Sequence, residues 1–410
     1  AKGIGVFMAL LASLPSAWGQ CSTTTATTCA CQTSGATNCD LFPDIMISWQ
    51  ALQAYASGPS EYSQTSTSTS GSPGTANAGR LRVTGATPNV GHGPLEVRGV
   101  NAAGWRKFIC GPEIDSIYAP TANPGFTCPN GFNPKQILFQ RVYHKNGAAM
   151  PYSDTARGTM TYHSRHRHID GWTAMTLRMQ QPGVTDPQQW PIIATGGKLG
   201  FCLINLFTCS GSSGYCRTSH LYNQGTILTN TSFGANYNLG NTPYSSCGDD
   251  SQGIYVGAGD IYSESLDGMW VNMMPGLCNN VAGDNAYWIV AQVDPNNDFL
   301  EEDDSNNWTA IPVNLTQQAA NNSGGTANIM CSGRLVMAPG ETRTLTASPG
   351  TAYLWSTGAT TRSITVSAAG SYSCTVSCPC GSLSTPSPTP SLFAAPAAPL
   401  LALTLPTVMF

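Results

Sequence analysis

The run Tyr162-His163-Ser164-Arg165-His166-Arg167-His168-Ile169-Asp170 gathers three of the chain's six histidines into six residues. Alternate residues of an extended strand face the same way, so His166, His168 and Asp170 would present two imidazoles and one carboxylate on one side. His163 joins that face only across a bulge. Imidazole nitrogen suits copper, zinc, iron or nickel, and a tetragonal nitrogen and oxygen set favours Cu(II). A solvated polar strand, with Arg165 and Arg167 on the opposite face, is the competing reading. His92, His144 and His220 stand alone and read as structural or surface residues. Neither a nucleophile elbow nor a G-x-x-x-x-G-K-[ST] phosphate loop occurs, which removes serine-hydrolase and nucleotide chemistry.

Charge narrows the field further. Lys+Arg is 18 and Asp+Glu 22 in 410 residues, a net charge of −4 with only 10% charged side chains. Binding to nucleic acid therefore has no electrostatic basis. The 15 cysteines indicate an oxidising compartment, and their odd number leaves at least one thiol without a partner in the chain. Cys21, Cys29, Cys31 and Cys39 read in that setting as disulfide cysteines rather than a zinc site. Residues 1–19 combine Lys2, an apolar stretch and the small-x-small site Ala17-Trp18-Gly19, the pattern of a secretory signal peptide. Sequons at Asn230, Asn307, Asn314 and Asn321 fit secretion through a glycosylating route. The segment 381–410 is a Ser/Pro spacer followed by an uncharged apolar tail. It reads either as a signal for a C-terminal lipid anchor at the cell surface or as a free tail, and Pro396, Pro399 and Pro406 oppose a spanning helix.

The elements that must position the histidines are short strands. Period-two alternation at 80–83 and 95–100 recurs at 137–143, 173–179, 198–203, 253–256, 270–273 and 287–293, and no long 3.6-residue period competes. With 43 glycines and 28 prolines to turn the chain, this predicts an all-β fold. A β-sandwich with long loops would occupy 39–316, after a Cys-rich segment at 20–38. A linker at 317–328 would lead to a small immunoglobulin-like sandwich at 329–380, with Trp355 in a central strand.

On this frame five segments, in order, resemble the lysyl oxidase family of copper- and quinone-dependent amine oxidases. Tyr162-His163 followed by His166-Arg167-His168 is similar to the family's copper strand. Gly197-Lys198-Leu199-Gly200-Phe201-Cys202-Leu203 resembles the segment carrying the cofactor lysine. Gln252-Gly253-Ile254, Asp260-Ile261-Tyr262 and Leu266-Asp267 to Trp270 resemble the segment carrying the cofactor tyrosine. The stretch Cys39-Asp40-Leu41-Phe42-Pro43-Asp44 and the stretch from Asp294-Pro295 through Glu301, Asp303, Asn306 and Asn307 look like the family's paired acidic segments.

The resemblance implies an amine oxidase that turns a primary amine or a protein lysine into an aldehyde, consuming oxygen and releasing hydrogen peroxide and ammonia. Its cofactors would be Cu²⁺, held by His166, His168 and either His163 or Asp170, and a lysine tyrosylquinone built from Lys198 and Tyr262. Ca²⁺ would sit on Asp40, Leu41, Glu301, Asp303, Asn306 and Asn307, clipping the ends of the sandwich together with hard oxygen ligands. Asp260, two residues from Tyr262 on one strand face, would be the general base. The family pattern has three alternating copper histidines where this chain has two. A non-catalytic extracellular protein keeping only the fold is the alternative.

Overall fold

Alternation sets the two large sheets. In the strand Lys135–Lys145 every second residue from Gln136 to Val142 is buried, and in Tyr287–Val293 the residues Tyr287, Ile289, Ala291 and Val293 all point into the core. The computed structural model describes residues 29–394 except 55–57, 72–73, 102, 112–116, 120–125, 164–165, 182, 240–244, 249, 274–276, 278, 281–284, 319–328, 332–335, 338–339, 349, 351, 379–380 and 385–390. The expected signal peptide, most of the linker, the apolar tail beyond 394 and the sequon at Asn321 fall outside the described residues.

The fold is all-β. One sheet runs, in order, His166–Ile169, Tyr152–His163, Lys135–Lys145, Leu95–Arg98 and Ser251–Ile254, with further strands at its margin. A second sheet of seven strands runs Ser60–Glu61, Arg80–Arg82, Trp270–Asn272, Ile192–Gly196, Thr173–Met179, Tyr287–Val293 and Trp308–Val313. Neighbours in both sheets pair antiparallel. Both sheets feed one core, in which Leu95, Val97, Leu138, Met160 and Ile169 of the first meet Leu81, Met175, Leu177, Val271 and Ile289 of the second. A third, three-stranded sheet of Phe207–Thr208, Ala258–Tyr262 and Gly85–Pro88 adjoins this sandwich.

Two stretches differ from the sequence reading. The stretch 198–203 is not a strand and makes one isolated bridge, Ile169 with Phe201. Its one glycine marks a close approach to the hairpin, since a Cβ at Gly200 would lie 3.1 Å from the Ile169 carbonyl oxygen. The strand Trp308–Val313 escaped the alternation pattern because it contains Pro312, which a ladder tolerates only at an edge, and this strand is the edge of its sheet.

Beyond the linker, the sheets Ile329–Cys331, Arg343–Ala347, Ser363–Val366 and Ala352–Trp355, Cys374–Cys378, Gly381–Ser384 enclose a core of their own around Leu345, Trp355 and Val376. Trp355 is buried as expected, but on an outer strand of its sheet rather than a central one. Disulfides join Cys31 to Cys39, Cys110 to Cys128, Cys202 to Cys247 and Cys209 to Cys216. Two sequons are committed to the fold: the amide nitrogen of Asn307 donates to Glu301 (2.9 Å) and that of Asn230 to the Tyr237 hydroxyl (2.8 Å). Asn314 is exposed.

Close backbone approach fixes the start of the sandwich. A Cβ at Gly93 would collide with the Leu41 carbonyl, because Gly93 N–H donates to Phe42 O at 2.7 Å. Gly93→Ala should therefore cost about 1–3 kcal/mol of overpacking strain, read as a lowered urea midpoint with the slope unchanged.

Candidate functional site

The histidine hairpin comes first. Its register pairs His163 with His166, Tyr162 with Arg167, Thr161 with His168 and Met160 with Ile169. Residues directly opposite in an antiparallel pair share a face, as do residues two apart on one strand. His163, His166 and His168 therefore occupy one face without a bulge, which replaces the expectation that His163 needs one. The same row continues to Asp170, whose N–H donates to Thr159 O (2.8 Å). Its carboxylate, however, accepts hydrogen bonds from the hydroxyls of Thr159 (2.7 Å) and Thr161 (3.0 Å) and lies 3.6 Å from Lys135 Nζ. Asp170 is thus engaged by the threonines, while register places both His163 and Asp170 on the face of His166 and His168. The side chains of His163 and His166 lie outside the described residues. Among the described ones no three His, Cys, Asp or Glu groups converge at metal-binding distance.

The lysine segment is pinned against this hairpin. Ile169 N–H donates to Phe201 O (2.7 Å), Phe201 N–H returns to Ile169 O (3.1 Å), and Thr173 N–H reaches Leu199 O (3.3 Å). Gln252, buried on its strand, ties three segments at once. Its Oε1 accepts from Leu203 N–H (3.0 Å), and its Nε2 donates to Arg167 O (2.9 Å) and Gly248 O (2.8 Å). The disulfide from Cys202 to Cys247 closes the same ring, because Cys247 O accepts from Arg167 N–H (3.3 Å).

Tyr262 completes the arrangement. Its hydroxyl accepts from Cys202 N–H (3.0 Å) and lies within hydrogen-bond distance of Cys202 O (3.0 Å), and its ring meets Phe201 edge to face at 4.4 Å. Lys198 Nζ lies 5.2 Å from the centre of the Tyr262 ring and 5.3 Å from that of Phe201. Burial lowers the Lys198 pKa, against the opposing pull of Asp267 and Asp260. Burial raises that of Tyr262, with Asp260 adding to it. Asp260 sits on the Ala258–Tyr262 strand with one oxygen accepting from Ile261 N–H (2.8 Å) and the other without a partner. Burial pushes its pKa well above the usual carboxylate range, while Lys198 lowers it. A buried carboxyl beside an ammonium and a phenol is a group that can exchange a proton.

The far wall is held by Arg82, which the sequence reading passed over. Its Nη1 donates to the carbonyls of Glu264 and Leu266 (2.8 Å each), its Nε donates to Asn77 Oδ1 (2.6 Å), and its guanidinium lies over Trp270 at 5.0 Å. The loop so fixed ends at Gly268, where a Cβ would lie 3.0 Å from Lys198 Cβ and where φ is +78°.

A second cluster joins the two ends of the sandwich. Glu301 is buried, with one oxygen accepting from Ile45 N–H (2.6 Å) and the other from Asn307 Nδ2 (2.9 Å), and Asn306 Nδ2 donates to Asp44 (2.8 Å). Burial pushes Asp44 up to about 7 and Asp294 up to about 6, and raises Glu301 well above its usual range. The side-chain oxygens of Asn306 and Asn307 are buried without partners. Asp40, expected here, instead pairs with His144 at 2.8 Å, and Leu41 packs in the core. The acidic residue of the N-terminal segment that reaches the cluster is Asp44.

Residues 234–324 match the family model for lysyl oxidase. That segment is similar to the lysyl oxidase family. The match takes in Gln252, Asp260, Tyr262 and the Glu301–Asn307 cluster, while the histidine hairpin and Lys198 precede it. No curated protein matches the chain. Among solved structures, the N-terminal four Ig domains of Dscam1 isoform 6.9 align over 86% of this chain and 91% of that chain, at 9% identity and a TM-score of 0.15.

Gln252→Leu keeps the volume but strands Leu203 N–H, Arg167 O and Gly248 O. At about 1–3 kcal/mol for each buried orphan, the loss should be about 3 kcal/mol or more in denaturant unfolding.

Proposed function

We propose that the chain is a secreted copper-dependent amine oxidase of the lysyl oxidase type, oxidising primary amines, lysine side chains among them, to aldehydes with release of hydrogen peroxide and ammonia. The observation that carries this reading is the juxtaposition of Lys198 and Tyr262. The two come from separate segments, yet the amine lies 5.2 Å from the ring, with both side chains half-buried. The four disulfides among the described residues fit an oxidising destination.

His163, His166 and His168, brought to one hairpin face by backbone register, would hold copper, which would supply the redox chemistry for converting a tyrosine to a quinone. Lys198 and Tyr262 would together form the quinone cofactor, which would supply the two-electron sink that ordinary side chains lack. The chain's own residues do the rest. The backbone of Cys202 fixes the Tyr262 hydroxyl and with it the ring's orientation. Lys198 must be neutral to attack carbon, and its desolvated position favours that form. Asp260, raised by burial and drawn back toward its ionised form by Lys198, would be the base once it is ionised, its unpartnered oxygen taking a proton from the incoming amine.

Copper-loaded protein should show a Lys198–Tyr262 crosslink by mass spectrometry, react with phenylhydrazine and release peroxide from primary amines. Lys198→Arg should lose all three, since a guanidinium stays protonated. His163→Ala, His166→Ala and His168→Ala should each strip copper by elemental analysis, whereas Asp170→Asn should keep it. Copper-loaded wild type without crosslink or visible absorbance would leave a non-catalytic extracellular protein as the better reading.

The second cluster supports a calcium site on Asp44, Glu301, Asp303, Asn306 and Asn307. The desolvated carboxyls of Asp44 and Glu301 and the unpartnered amide oxygens are the hard donors that Ca²⁺ takes, and the exposed Asp303, which caps Ser305, would complete the set. Calcium at one hundred times its dissociation constant should add about 2.7 kcal/mol of stability. Asp44→Asn should abolish the calcium-dependent rise in melting temperature, and Asp40→Asn should preserve it.

A further inference from the structure

On the face of the seven-stranded sheet turned away from the core, a cleft of about 430 Å³ opens between Trp288 and Trp308. Register explains its shape. Trp288 pairs with Pro312, Val290 with Ala310 and Gln292 with Trp308, so both indoles rise from one face with the small side chain of Ala310 between them. Four residues of strand separate them, roughly 13 Å. Tyr222 adds a third aromatic wall, held by a hydrogen bond from Gln53 Nε2 to its hydroxyl (2.7 Å) and by an edge contact with Trp49 (5.2 Å).

The polar lining is one-sided. Asp186 is the charged residue of the cleft, its carboxylate oriented by Gln188 N–H (2.9 Å) and Gln189 Nε2 (3.0 Å), and no Lys or Arg lines the site. The adjacent guanidinium, Arg178, is buried and donates to the carbonyls of Gln188 and Trp190. His220 lies edge to face with Trp308 at 4.9 Å, and burial lowers its pKa against the opposing pull of Asp303. Asp186 acts on the buried Arg178 as well, but Arg178 does not line the cleft, so a cation entering it meets the ring quadrupoles and the carboxylate together. A sugar would stack on the same indoles but gains nothing particular from the charge asymmetry.

We propose that this cleft binds the ammonium end of a lysine side chain presented by another protein. It shares no lining residue with the Lys198–Tyr262 site. On the oxidase reading it would hold one lysine of a substrate protein while another is oxidised, but the binding itself does not depend on that reading.

The test uses the full chain carrying Lys198→Arg, so that no ligand is consumed and a failed oxidase assignment leaves the result intact. Calorimetric titration at low salt with Nα-acetyl-lysine methylamide should show one site. The Nε-acetylated counterpart, which lacks the charge, should bind at least about tenfold more weakly, and Trp308→Ala should cost about tenfold in affinity. Asp186→Asn, which keeps the hydrogen-bonding shape, should weaken binding severalfold with its melting temperature unchanged, so the proposal stays testable if the tryptophan variant folds poorly. Absent binding, equal binding of the acetylated ligand, affinity unmoved by both variants, or binding of cellobiose in place of the lysine derivative would each overturn the assignment.

Discussion

The geometry around Tyr262 depends on one buried amide and one disulfide. Gln252 makes three hydrogen bonds, one accepted and two donated, to three segments that share no ladder at that point. A buried amide is costly unless satisfied, and here the satisfaction is what joins the histidine strand, the lysine segment and the loop at Gly248. The disulfide between Cys202 and Cys247 joins the same pieces covalently, and Cys202 presents both its backbone groups to the Tyr262 hydroxyl. The lysine segment has no strand of its own to hold it, so its placement rests on this knot and on the Ile169–Phe201 bridge.

Desolvation then sets the chemical character of the pocket. Lys198, Asp260 and Tyr262 are all pushed toward their neutral forms by burial, while the attraction between Lys198 and Asp260 works the other way. On the proposed reading, these shifts favour the neutral amine that an attack on an oxidised ring would require. Arg82 contributes at one remove. It anchors the carbonyls of the 264–266 turn, and that turn brings Gly268 against the stem of Lys198.

The acidic cluster around Asp44 and Glu301 follows the opposite logic. Carboxylates at such depth, with two amide oxygens unpartnered, leave the native chain short of positive charge at the point where its early and late segments meet. A cation there would stabilise the native state alone, which makes the closure of the sandwich dependent on its ionic surroundings.

Period-two patterning was enough to read the all-β class and strands such as Thr173–Met179 and Tyr287–Val293, because a half-buried strand writes its burial into alternate residues. The clustering of His163, His166 and His168 was equally plain, since donor type and spacing are local properties. What the sequence alone could not decide was anything set by pairing across the fold. Whether His163 shares the face of His166 and His168 depended on hairpin register, and whether Asp40 or Asp44 lies beside the Glu301 segment depended on which turn of the N-terminal segment faces the core. The roles of Gln252 and Arg82 were hidden for the same reason. Their partners are carbonyls and amides distant in the chain, which every residue carries and no residue type advertises.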